Sequence, residues 1–296
     1  MTGATTRSGF VALAGRPNVG KSTLANALVG AKVAIVSDKP QTTRRAIRGV
    51  ATGPDWQLVL IDLPGVQRPR DALTSRMQRR VEQELADADG CLLVISAEQG
   101  IGPGDRFIAR LLQSASIWTV IAVNKVDAAS RMQTMSALSE AADLGISDDV
   151  FPVSARTGQG VHELLETLSG LLPQGPFYFE PRQRTDQAQP ILIAELVREQ
   201  VLRRTREEVP HAVEVEVTEI ERLDALMRIG AVILTETESQ KGILIGAGGR
   251  MVKAVGTAAR RAIERELGVR VHLELSVKTR RHWRADERLL DRLGIE

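Results

Sequence analysis

The sequence predicts an α/β chain in two parts: a mostly parallel, doubly wound sheet domain over residues 8–172, and a smaller α+β module over residues 191–296 that ends in a helix. Three observations predict it. Short, almost wholly apolar runs at 10–14, 58–61, 91–95, 120–123 and 151–153 alternate with helical patterns, as expected for strands buried on both faces of a parallel sheet. Residues 173–190 hold four prolines and one glycine, so periodicity stops there and the stretch reads as a linker. Beyond it the order becomes helix (from 192), strand, strand, short helix, glycine turn, helix, strand.

Composition bounds the possibilities. A chain of 296 residues with 43% hydrophobic content can build two cores. The single cysteine, Cys91, lies in an apolar run; it excludes a disulfide framework or a cysteine metal site. No apolar stretch reaches the roughly 18 residues that a bilayer span needs. Residues 1–9 lack a signal-peptide core, so a cytoplasmic location is expected. The net charge of +2 does not by itself announce a nucleic-acid partner.

The strand at 10–14 runs into Gly15-Arg16-Pro17-Asn18-Val19-Gly20-Lys21-Ser22, and Thr23 continues into a helix over 23–28. This fits the phosphate-binding P-loop, G-x-x-x-x-G-K-[ST], in the strand-to-helix context that the motif requires. Backbone N–H groups wrap a polyphosphate at the positive end of the helix. Lys21 is expected to reach the β- and γ-phosphates, and Ser22 to ligate Mg²⁺.

Asp62-Leu63-Pro64-Gly65 follows the strand at 58–61, with Val66 next. The Asp62 carboxylate is expected to hold Mg²⁺ through water, and the Gly65 N–H to touch the γ-phosphate. Between these motifs, Gln41-Thr42-Thr43-Arg44 offers a threonine that can close on Mg²⁺ and the γ-phosphate; Thr43 is favoured and Thr42 stays open.

Asn124-Lys125-Val126-Asp127 ends the strand at 120–123. The Asp127 carboxylate can accept from both guanine N1–H and the N2 amine, a donor pair that adenine lacks. A site built around such bonds discriminates by roughly 10⁴–10⁵. Ser154-Ala155, 27 residues after Asp127, completes the base pocket, with the Ala155 N–H aimed at guanine O6. The four elements in this order read as a P-loop GTPase domain that uses GTP/GDP and Mg²⁺. Ras-like GTPases orient the attacking water with a glutamine directly after D-x-x-G; Val66 cannot do so. The catalytic set is therefore read as Lys21, Asn18, Thr43 and Gly65.

In the second module, Ile245-Gly246-Ala247-Gly248-Gly249 is a G-x-x-G turn between two helices, the signature of a KH domain. Two strands before the turn and one after it correspond to the type II form. Residues 241–292 carry 13 basic against 6 acidic residues, whereas residues 191–240 are net acidic, so only the C-terminal half should face phosphates. The RNA-facing set is read as Ile245, Gly246, Ala247, Gly248, Gly249, Arg250, Lys253, Lys278, Arg280 and Arg281. Arg260, Arg261 and Arg265 read either as part of it or as a solvated helix face.

Taken together, G-R-P-N-V-G-K-S, Q-T-T-R, D-x-P-G, N-K-V-D, S-A, the KH turn and the tail Trp283-Arg284-Ala285-Asp286-Glu287 resemble the Era GTPases of bacteria over essentially the full length. The resemblance implies a GTP-hydrolysing switch that binds the 3′ end of small-subunit ribosomal RNA and assists 30S subunit maturation. It also implies a monomer that binds no DNA and associates loosely with the inner membrane surface. In related GTPases with an apolar residue after D-x-x-G, the asparagine equivalent to Asn18 ligates K⁺, which makes K⁺ an expected cofactor. The family usually has lysine where Ala247 stands. Two other readings are a GTPase of transfer RNA modification and an RNA-binding module indifferent to nucleotide; the first lacks its cysteine-bearing C-terminus here, the second leaves four GTP motifs unexplained.

Overall fold

The computed structural model describes residues 6–39, 41–66, 71–115 and 117–295. The first five residues, which enter the reading of the N-terminus, and Glu296, which ends the second domain, lie outside the described residues. The chain divides into two compact units.

The first unit follows the order β1 (Arg7–Ala14), α1 (Lys21–Val29), β2 (Ile47–Thr52), β3 (Trp56–Asp62), α2 (Ala72–Asp87), β4 (Gly90–Ser96), α3 (Pro103–Ala115), β5 (Trp118–Asn124), α4 (Arg131–Ala142), β6 (Val150–Pro152) and α5 (Val161–Leu171). Its six-stranded sheet has the order β2-β3-β1-β4-β5-β6. Each neighbouring pair is parallel except β2 with β3. Successive strand residues serve opposite faces. Leu92 and Val94 join α1 and α5 in one core; Cys91, Leu93 and Ile95 join α2, α3 and α4 in the other. Burial pushes the Cys91 thiol up to about 12, so it is a core residue without thiolate chemistry.

Two elements are absent from the sequence reading. β2 contains Arg48 and Gly49 and lacks a continuous apolar run; it forms as an antiparallel edge beside β3. α2 is strongly charged, and only Leu73, Met77, Val81 and Leu85, spaced four apart, are buried hydrophobic residues. The stretch read as a linker forms no helix or strand before Gln189, yet most of it belongs to the first unit. Residues 174–186 belong to the first unit and are tied to it by backbone and side chain. The Val50 N–H donates to the Arg184 carbonyl at 2.8 Å. The Gln57 side-chain oxygen accepts from the N–H groups of Tyr178 and Phe179, at 2.8 and 2.9 Å. Tyr178 packs on Phe10 with ring centroids 4.8 Å apart. Prolines stop helices and sheets but do not prevent an extended segment from lying along a sheet domain.

The second unit comprises residues 35–42, 71–73 and 187–296. Its order is α6 (Gln189–Leu202), α7 (Val209–Ala212), β7 (Glu214–Leu223), β8 (Leu226–Thr235), α8 (Glu238–Ile245), α9 (Arg250–Leu267), β9 (Arg270–Thr279) and α10 (Glu287–Arg292). Pro190 lies in the first turn of α6, where its missing N–H costs nothing, so the helix starts three residues before the predicted 192. The sheet order is β7-β8-β9, with β7 and β8 antiparallel and β8 and β9 parallel. Ile193, Val197 and Val201 of α6 and Val255, Ala259 and Ile263 of α9 pack on Ile229, Ala231 and Ile233 of β8. Within α6, Arg198 is buried with Glu195 and Glu214 at 2.7 and 3.7 Å and donates to the Thr42 carbonyl. No helix among the described residues is long and apolar enough to cross a membrane.

Candidate functional site

The P-loop spans the turn from buried β1 into α1. Asn18 sits on it with a φ of 65°, and Lys125 of the base motif has a φ of 67°. Left-handed backbone at non-glycine residues costs about 1–2 kcal/mol each and concentrates at functional sites. Gly20 has a φ of 97°, and a Cβ there would come within 2.4 Å of Asn124 Nδ2. Glycine is therefore required both by the turn and by the close approach of the base motif.

Lys21 is buried at the start of α1, and its ammonium donates to the carbonyls of Gly15 and Arg16 at 3.0 Å each. Burial lowers its pKa to about 8 against the opposing pull of Asp62 and Asp105. Ser22 Oγ donates to Asp62 Oδ2 at 2.6 Å and lies 2.9 Å from Thr43 Oγ1, which donates to the same carboxylate oxygen at 3.2 Å. Three hard oxygens thus converge at the mouth of the P-loop, a donor set that fits Mg²⁺ completed by water and phosphate oxygens. Thr42 is turned away; its hydroxyl donates to the Lys39 carbonyl at 2.6 Å. Of the two threonines left open by the sequence, Thr43 is the one whose hydroxyl lies beside Ser22 and Asp62.

Gly65 packs against the P-loop. A Cβ there would lie 2.8 Å from Pro17, and the Val66 N–H approaches the Gly15 carbonyl at 3.4 Å. Leu63 is buried in the sheet core, and Val66 is half-buried against the same core.

At the other end, the buried Asn124 side chain bridges two motifs. Its Nδ2 donates to the Val19 carbonyl at 2.9 Å, and its Oδ1 accepts from the Ala155 N–H at 3.0 Å. The Ala155 N–H, expected at guanine O6, here meets Asn124. Ser154 Oγ donates to Asp127 Oδ1 at 2.5 Å, and Arg156 pairs with Oδ2 at 2.6 Å. The Ser154 bond, aided by Arg156 and opposed by burial, holds the Asp127 carboxyl below the usual carboxylate range. Arg156 is 75% exposed. It is missing from the sequence-predicted set, although it directly follows Ser154-Ala155. Lys125 extends toward Glu98, 3.7 Å away, and Val126 is half-buried in the sheet core.

The glycine turn of the second unit is set between α8 and α9. Thr237 and Gln240 form a reciprocal cap that starts α8. Gly246, Gly248 and Gly249 have φ values of 68°, 61° and 77°. Ala247 and Gly248 are exposed, Ile245 is half-buried, and Arg250 Nε donates to the Ala247 carbonyl at 3.2 Å. Arg250 and Lys253 line one groove with Arg204, Thr257 and Arg261. The structure thereby places Arg261 in a basic concavity and adds Arg204 from the turn after α6, which no local sequence signal marks. Lys278 and Arg281 are exposed, and Arg280 pairs with Asp286 at 2.7 Å.

Comparison with known proteins bears on both sites. A family model described as a 50S ribosome-binding GTPase matches residues 10–125, and a KH domain model matches residues 208–284. The protein called GTPase Era in Mycobacterium tuberculosis H37Rv is 45% identical over 295 residues, which cover 97% of this chain and 98% of that protein. The chain belongs to the Era GTPase family. GTPase Era of Mycobacterium avium is 44% identical, covering 98% and 99%. The crystal structure of a point variant of Aquifex aeolicus Era bound to GDP·AlF4⁻ superposes with a TM-score of 0.94 at 34% identity, covering 98% of this chain and 99% of that one. A structure of Era in complex with MgGDPNP and nucleotides 1506–1542 of 16S ribosomal RNA matches with the same TM-score, identity and coverage. As a member of the family, the chain is a GTPase with a C-terminal KH domain.

Proposed function

We propose that this GTPase uses its KH turn to hold the 3′ end of small-subunit ribosomal RNA and so assists maturation of the 30S subunit. The observation that carries the reading is the pairing, on one chain, of a complete nucleotide cradle with an exposed glycine turn flanked by a basic groove. An Era relative in complex with a 16S fragment and a GTP analogue supports it. Crosslinking in cells followed by sequencing of the attached RNA tests it. Recovery of transfer RNA instead of the 16S 3′ end would overturn it.

In this reading Ser22, Thr43 and Asp62 hold Mg²⁺, which when bound neutralises charge on the β- and γ-phosphates. Lys21 leaves its two carbonyl partners for phosphate oxygens. Gly65, pinned on Pro17, presents its N–H to the γ-phosphate, and the P-loop N–H groups from Asn18 to Thr23 supply the remaining donors. Asn124, held between Val19 and Ala155, keeps the phosphate and base ends in register. Asp127 reads guanine after Arg156 swings out.

Val66 cannot position water, and Asn18 is an exposed amide on the phosphate loop. Its side-chain oxygen suits K⁺, a cation that can stabilise transition-state charge. Turnover is expected to be faster in K⁺ than in Na⁺ at equal ionic strength, and Asn18→Ala is expected to remove the difference. Equal rates in both salts would refute the role of Asn18.

Ala247 lies where the nucleic-acid backbone passes, without a charge of its own. Ala247→Lys adds a phosphate contact that carries no base information. Affinity for single-stranded RNA is expected to rise for all sequences alike, and the slope of log K against log salt to steepen by roughly 0.7. Titrations at three salt concentrations check this; an unchanged slope would place the phosphates elsewhere.

A further inference from the structure

Arg16 is the second residue of the P-loop, yet its side chain does not serve the phosphate cradle. It runs to the connection between β4 and α3. Its Nη2 donates to the Gly100 carbonyl at 2.8 Å, and its Nε lies 2.7 Å from Asp105 Oδ2. Asp105 sits in the first turn of α3 and is fully buried. The same Oδ2 accepts from the Gly102 N–H at 2.8 Å, whereas Oδ1 is buried with no hydrogen-bond partner among the described residues. A buried carboxylate is costly unless an opposite charge faces it. Arg16 is the cation in contact with it, and Lys21 feels the same carboxylate. The slot is shaped for that arginine: a Cβ on Gly104 would come 2.9 Å from Arg16 Cδ, and one on Gly102 would come 3.1 Å from Nη1.

The clamp reaches the chemistry through the backbone of Arg16. Its carbonyl accepts from Lys21 Nζ at 3.0 Å. The far end of the same connection is tied to the base motif. The Ala97 N–H donates to the Asn124 carbonyl at 2.8 Å, and Glu98 faces Lys125 at 3.7 Å. One short segment therefore braces the phosphate loop at one end and the guanine-reading strand end at the other.

We propose that Asp105 is a positioning residue of the nucleotide cradle. Acting through Arg16, it fixes the P-loop in its phosphate-binding shape and so sets how long guanine nucleotide stays bound. Asp105 touches neither nucleotide nor metal ligand in this role. An alternative role, merely capping α3, would leave the cradle unaffected once the helix is formed.

The experiment measures release of a fluorescent GDP analogue from the full-length chain. Asp105→Asn keeps the shape and an acceptor for Gly102 but removes the charge. Arg16→Met keeps the stem and removes the fork. Each is expected to release GDP about tenfold faster, because small displacements of positioning groups are costly. The double variant is expected to release it no faster than either single variant, because both break one clamp. In steady-state turnover the Asp105→Asn loss falls on KM rather than kcat, since the cradle grips ground state and transition state alike. Wild-type release from Asp105→Asn, or effects that add in the double variant, would reduce Asp105 to a helix cap and overturn the proposal. If Asp105→Asn fails to fold, Arg16→Met decides alone: its side chain is 23% exposed, and wild-type GDP release from it overturns the proposal equally.

Discussion

Asp127→Asn is expected to abolish GTP binding and create affinity for xanthosine triphosphate. The asparagine amide opposes the guanine N2 amine with another donor, but it pairs with the xanthine 2-carbonyl while its oxygen still accepts N1–H. Two charge-assisted hydrogen bonds of about 1.5–3 kcal/mol each are lost with GTP. Together that is roughly 10²–10⁴ in affinity. The fold should survive. Ser154 can still donate to the asparagine oxygen, and the ion pair lost is with Arg156, which is 75% exposed. Such surface pairs contribute about 0–1 kcal/mol. Equilibrium binding of both nucleotides, with melting of the nucleotide-free protein as a control, checks the prediction. Equal GTP affinity in the variant would show that Asp127 does not read the base.

Gly248→Asp is expected to abolish RNA binding while guanine nucleotide affinity stays at the level of the unaltered chain. Gly248 has a φ of 61°, and no atom lies within 4 Å of a Cβ built on it. The position is open space in this structure, and the backbone of a single strand needs that space. A carboxylate placed there meets phosphate charge at close range. Like-charge juxtaposition costs several kcal/mol, or roughly 10²-fold and more in affinity. Backbone strain from any side chain at this φ adds about 1–2 kcal/mol and falls on the turn itself. Gly248→Ala carries the strain without the charge, so RNA titrations with both variants separate the two terms. Wild-type RNA binding by Gly248→Asp would move the RNA off this turn.

Features whose chemistry lies in a few contiguous residues were legible before any folding was known. Gly15 to Ser22, Asp62 to Gly65, Asn124 to Asp127 and Gly246 to Gly249 are backbone conformations and side chains spaced by the chain itself, so their order was enough to read a guanine-nucleotide site and an RNA module. The all-apolar strands were legible because two buried faces leave no room for polar residues. Which of two adjacent threonines, Thr42 or Thr43, turns to Asp62 is settled by the folded chain, because neighbouring side chains in a loop point apart and composition cannot say which way. Folding also sends the Ala155 amide to Asn124, sets Arg156 over Asp127, and lays residues 174–186 on the first unit. β2 escaped the sequence reading because Arg48 and Gly49 interrupt its apolar run, and α2 because a charged amphipathic helix buries one face only against a surface made by distant strands. The clamp from Arg16 to Gly100 and Asp105 joins residues 84 positions apart in its hydrogen bond. Such contacts are properties of the closed sheet, whose connections bring together groups that no local pattern links.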